Sequence, residues 1–224
     1  MTETPHAPST AEFNATTPLL RGWLHLVAAP LALLAGIVLV ATGPTLAGRL
    51  TAGVFTVTAV MLFGTSAVYH RGNWDTGLRG VLRRIDHANI FLIIAGTYTP
   101  LTVMLLPRST AITALAIVWP GAIGGLLLSV LWVNAPRWLY VPLYLALGWV
   151  AVGFMGPFAD AGGAVVVWLI AAGGLAYTAG AIIYGTKWPN PSPRYFGFHE
   201  IFHALTIAGF ACHYIAAAFA IYRA

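Results

Sequence analysis

The sequence predicts an all-α integral membrane protein, a bundle of seven transmembrane helices with its amino terminus cytoplasmic and its carboxy terminus outside. Three observations carry that expectation. The first is composition. Of 224 residues, 59% are hydrophobic and 8% charged, against roughly 25% charged in ordinary soluble domains, and mean hydropathy is +0.81. So few charges cannot cover the surface of a soluble fold, and lipid is the expected solvent. The second is a series of seven apolar runs, each near the roughly 20 helical residues that cross a hydrocarbon core of about 30 Å. The third is an asymmetry of positive charge between the two ends of those runs.

Residues 1–20 are polar, rich in Thr and Pro, and read as a disordered cytoplasmic tail; residues 21–224 form the membrane domain. The run after Arg21 is longer than the roughly 7–15 residues of a signal-peptide core, so it reads as a retained span. The spans are placed near 23–43, 50–70, 85–106, 110–133, 138–156, 164–186 and 198–222. Turn chemistry or charge separates them: Gly43-Pro44, Arg71-Gly72-Asn73, Pro107-Arg108, Asn134-Ala135-Pro136-Arg137, Asp160-Ala161-Gly162-Gly163, and Trp188 to Pro193 with its three prolines. The fifth span is the shortest and contains Pro142. With these boundaries Arg21, Arg71, Arg79, Arg83, Arg84, Arg137, Lys187 and Arg194 fall on the amino-terminal side. Arg49, Arg108 and Arg223 fall on the other. The richer side is the cytoplasmic one, which places a multi-pass protein in the cell membrane.

The same scatter explains the net charge of +5 without a nucleic-acid partner, since the basic residues form no patch. The single cysteine, Cys212, lies in an apolar run and reads as a small core thiol. No internal repeat supports a transporter built from two similar halves. Gly121, Gly124, Gly125, Gly173, Gly174 and Gly180 suit close helix packing in lipid. Trp23, Trp138 and Trp188 read as interfacial anchors.

Ionisable residues within spans are costly and are functional candidates by default. They are His25, His70, Asp86, His87, His199, Glu200, His203 and His213. Span two ends at His70, span three begins with Asp86 in its first turn, and span seven opens with His199, Glu200 and His203. Three helices therefore bring imidazoles and a carboxylate to one depth near the cytoplasmic face. His199 and His203, four apart, share a helix face, as do Ser66 and His70. Three imidazoles would leave a tetrahedral zinc one open position, the mark of a catalytic site. Asp86 could hold a water there and act as general base. For His25, His87 and His213, an interhelical hydrogen bond or an interfacial anchor is the expected role. His199 to His203 also matches the His-Glu-x-x-His pattern of zinc peptidases, with Glu200 as base. A membrane span is the wrong setting for it, and Gly209 stands where one subclass would need a third histidine.

The segments Ser66-Ala67-Val68-Tyr69-His70, Leu82 to Phe91 with Asp86-His87-Ala88-Asn89 at its centre, and Ala95-Gly96-Thr97-Tyr98-Thr99-Pro100 resemble the bacterial hemolysin III branch of the progestin and adipoQ receptor family. Gly197-Phe198-His199-Glu200-Ile201-Phe202-His203, followed by Ala211-Cys212-His213-Tyr214, is similar to that family's last-helix motif. The resemblance runs in order from about Gly22 to the end of the chain. It implies seven helices with a cytoplasmic amino terminus, and a zinc ion on His70, His199 and His203. It also implies that Asp86 holds the zinc through a water, with Ser66 near the metal. Relatives often carry a Glu and an Asn shortly before a His ahead of the first span. Here Glu12 and Asn14 are spaced more loosely from His25, and the resemblance carries no role over to His25.

The expected activity is zinc-dependent hydrolysis of a lipid amide or ester, ceramidase-like and serving membrane lipid homeostasis. Asp86 would be the base, Ser66 would help stabilise the oxyanion, and a membrane lipid would be the partner. The competing expectations are a zinc-stabilised regulator or receptor-like protein without turnover, a pore-forming haemolysin, and a proton-linked transporter. A pore would need polar lining through the full depth, whereas the polar residues cluster at one end.

Overall fold

The computed structural model describes residues 18–132 and 136–223, and among these it is all-helical, without a strand. The helices are α1 (Trp23–Thr42), α2 (Leu46–Arg71), α3 (Thr76–Leu105), α4 (Arg108–Leu131), α5 (Arg137–Trp149), α6 (Met155–Thr186) and α7 (Phe198–Arg223), with a 3-10 turn over Val150–Phe154 joining α5 to α6. Glu12, Asn14 and most of the expected tail lie outside the described residues. Residues 19 and 20 do not follow the tail expectation. Leu19 donates its backbone N–H to Arg194 O at 2.9 Å, and Leu20 donates to Tyr195 O at 3.2 Å.

Local chemistry accounts for the helix starts. Thr45 caps α2 by accepting from the Gly48 N–H at 3.0 Å, and Asp75 caps α3 by accepting from Leu78 N–H at 3.0 Å. That second cap lies well before the expected start at residue 85. Residues 76–84 are helical but polar, so hydropathy finds the lipid-crossing part of α3 and misses its aqueous first turns. Asp86 consequently sits about three turns inside the helix, not in its first turn.

Among the described residues six stretches are long and apolar enough to cross a membrane: five correspond to α1, α2, α3, α4 and α7, and the sixth runs Trp138–Thr186 for 49 residues. Straight, that last stretch would span about 74 Å at 1.5 Å per residue. It is not straight. Gly163 leaves helical geometry with φ 74° and ψ 177°, a conformation open essentially to glycine alone. Across the bend, Trp149 Nε1 donates to Thr178 Oγ1 at 3.1 Å, and a Cβ built on Gly185 would lie 3.8 Å from Val141. Both pairs are centred on residue 163, so the two limbs run back along each other. Arg223 Nη1 reaches over from α7 and donates to the Gly162 carbonyl at 2.6 Å.

Helices α1 to α4 pack each against the next, and α7 packs against α6 while also touching α1, α2 and α3, which closes the bundle. Small residues set the close approaches. A Cβ on Gly125 would fall 2.3 Å from Phe91, and one on Gly173 would fall 2.4 Å from the His213 ring. Two of the glycines expected to pack, Gly124 and Gly174, have nothing within 4 Å of a built Cβ; they face open space and are not contact points. Phe55, Phe63, Ala59, Phe158 and Ala216 form the core between the helices. Leu34, Leu131 and Trp168 are exposed, as apolar side chains facing lipid are.

Candidate metal centre

The last turn of α2 presents His70 beside the first two turns of α7, which carry His199 and His203. The nearest ring nitrogens of the three all lie within 4.8 Å of one another. His70 Nε2 and His199 Nε2 are 3.3 Å apart. Two nitrogens bound to one tetrahedral zinc at about 2.0–2.1 Å stand about 3.3–3.4 Å apart, so this spacing already fits a shared ion. Three convergent imidazole nitrogens are a borderline donor set that suits zinc, copper, iron or nickel. The residues therefore fit a metal ion, and the three-nitrogen set leaves further positions for water or substrate.

From α3, Asp86 Oδ2 lies 3.9 Å from His70 Nε2. Ser66, buried one turn before His70, places its hydroxyl beside the Asp86 carboxylate. All five expected site residues thus meet at one place, although α2, α3 and α7 are far apart in sequence. The tyrosines Tyr69 and Tyr184 flank the cluster, their rings 4.6 Å from His70 and 5.7 Å from His199.

Glu200 does not join them. It is 1% exposed, forms an ion pair with Arg21 through Oε1, and accepts from the Gly197 N–H at 2.8 Å through Oε2. Both oxygens are engaged away from the histidines, which leaves no basis for Glu200 as a peptidase base. His213 takes the expected interhelical role, with Nε2 3.1 Å from the Ile170 carbonyl. His87 faces the Tyr140 ring at 5.9 Å.

Sequence reasoning missed His25. It is 2% exposed and stacks on His203 with ring centroids 3.8 Å apart and planes 15° apart. The criterion of common depth, applied to the first turn of α1 as it was to the other helices, would have found it. Arg21 was equally missed, because its partner is 179 positions away.

A cavity of about 700 Å³ opens from this cluster into the bundle. Its head is lined by Arg21, Ser66, His70, Asp86, His199 and His203. Farther in, the wall is mainly apolar, with Leu101, Met155, Phe158 and Ile170 among its residues. The volume lies in the range of small-molecule sites.

The profile of the family described as Haemolysin-III related matches residues 13–214. The chain is 30% identical over 167 residues to the "Hemolysin-3 homolog" of Bacillus subtilis (strain 168), covering 74% of this chain and 75% of that protein. It is 32% identical over 127 residues to "Hemolysin-3" of Bacillus cereus, covering 57% of this chain and 55% of that one. With the motifs in order, the apolar helices and a match over most of its length, this multi-pass membrane protein belongs to the haemolysin III branch of the progestin and adipoQ receptor-like family.

Proposed function

We propose that this protein crosses the membrane seven times, amino terminus in the cytoplasm, and uses a zinc ion held by His70, His199 and His203 to hydrolyse an amide or ester bond in a membrane lipid. One observation carries the reading: three clustered imidazole nitrogens with a carboxylate 3.9 Å away, at the head of a cavity that turns apolar with depth. The seventh crossing rests on the Gly163 bend, since a straight 49-residue stretch would overrun a core of roughly 30 Å more than twofold.

When bound, zinc supplies Lewis acidity that polarises a carbonyl and makes water a better nucleophile near neutral pH. The chain's own residues do the rest. Asp86 takes the proton of the attacking water and returns it to the leaving amine or alcohol. Ser66 spends its single proton on Asp86 and so holds the carboxylate in orientation; that engagement makes it a positioning group before it can serve an oxyanion. The apolar cavity takes the acyl chain and keeps bulk water from the carbonyl.

A second reading, a zinc-clamped regulator without turnover, draws on the same centre, because one ion would staple α2 to α7. Haemolysis, the property named in the Bacillus relatives, would in this chain need a polar path along the cavity, and the deep wall is apolar. The deciding experiment is metal analysis of purified protein together with release of fatty acid from a fluorescent N-acyl lipid in nanodiscs. One zinc per chain, lost in the His199→Ala/His203→Ala double variant, with turnover lost in parallel, supports the hydrolase. Zinc without turnover on any lipid supports the regulator.

A further inference from the structure

The segment just before and within the first turn of α1 lies against the centre and the elements that carry it. Leu19 and Leu20 are hydrogen-bonded through their backbones to Arg194 and Tyr195, in the loop that leads into α7. Arg21 is paired with Glu200, the neighbour of His199. Gly22 adopts φ 80° and packs so closely on α2 that a built Cβ would fall 2.8 Å from His70 Cβ. His25 lies face to face on His203 at 3.8 Å and is held from the side by the Phe63 ring at 5.1 Å. Neither His25 ring nitrogen makes a hydrogen bond; the His203 backbone approaches without reaching hydrogen-bond geometry.

A histidine ring turns easily about its second side-chain torsion, whose well is broad. A metal-binding histidine is normally held by a hydrogen bond at its other nitrogen. A parallel ring 3.8 Å away does the same work sterically, because rotation of His203 would drive its edge into His25.

We propose that residues 19–25 form a brace that fixes the coordination geometry of the three-histidine centre, with His25 the positioning residue for His203 acting through ring stacking. The proposal rests on the metal-centre reading above. His25 contributes its face and not its nitrogens, Gly22 lets the backbone lie against His70, and Arg21 ties the brace to the helix that carries His199 and His203.

The test uses the full-length protein in nanodiscs, with zinc affinity read by chelator competition and the visible absorption spectrum read after cobalt substitution. His25→Ala is expected to weaken zinc by roughly 10- to 100-fold, the usual cost of losing a group that orients a ligand, and to alter the cobalt bands. His25→Phe keeps the stacked ring and is expected to restore both affinity and spectrum. Should His25→Ala fail to fold, His25→Leu refills the volume without an aromatic face and takes its place. Wild-type affinity and spectrum in the Ala or Leu variant would overturn the brace. A His25→Phe variant as weak as His25→Ala would also overturn it, by showing that a nitrogen matters. Wild-type protein that binds no metal would instead defeat the metal-centre reading, which separates the two failures.

Discussion

Asp86 and Glu200 are the two carboxylates nearest the histidines, and their surroundings separate their roles. Asp86 faces His70 and Ser66, whereas Glu200 is committed to Arg21 and a backbone N–H. Asp86→Asn keeps the shape and removes the proposed base, so on the hydrolase reading zinc content should be unchanged while lipid hydrolysis falls by about 10²- to 10⁴-fold, measured on metal-loaded protein. Glu200→Gln should act on stability. Removing one member of a buried ion pair costs about 3–5 kcal/mol, to be read as a lowered thermal midpoint in detergent, with turnover per folded molecule retained at saturating zinc. His70, His199 and His203 were legible in the sequence because helical spacing and common depth are properties of single elements. Arg21 and His25 were not, because what matters about them is a pairing between α1 and α7 that no local pattern encodes.

Among the helices, the bent one tells most about how far sequence reading reaches. The Gly162-Gly163 pair marks a break after the fifth run, and the structure bends there; the boundary of α3 was missed because Arg79, Arg83 and Arg84 hide a helix from hydropathy. Gly163 has room for a side chain, since only Arg223 comes within 4 Å of a built Cβ. Substitution there meets a conformational penalty and little steric one. Gly163→Ala should therefore cost about 1–3 kcal/mol, read as faster thermal inactivation. Filling the apolar part of the cavity should separate binding from metal chemistry. Ala171, beside Ile170, lines it, and Ala171→Phe should leave one zinc per chain while reducing turnover of long-chain lipids more than of short-chain analogues.

For the whole molecule the proposed orientation is testable by labelling. With Cys212 replaced by Ala, a cysteine at Lys187 should react with an impermeant maleimide only in inside-out vesicles, and one at Arg108 only in right-side-out cells. Labelling of both from one side would refute the arrangement. In the proposed seven-crossing arrangement, the bend at Gly163 also governs which leaflet each histidine reaches. Each crossing reverses the direction of the chain, so parity decides where α7 begins. With the bend, the segments between α2 and α7 number four, and His199 and His203 return to the leaflet of His70. With one straight rod in its place they would number three, and the imidazoles would be stranded a bilayer apart. On that arrangement the 3.3 Å between His70 and His199 follows from an even count, and the count turns on one residue without a side chain.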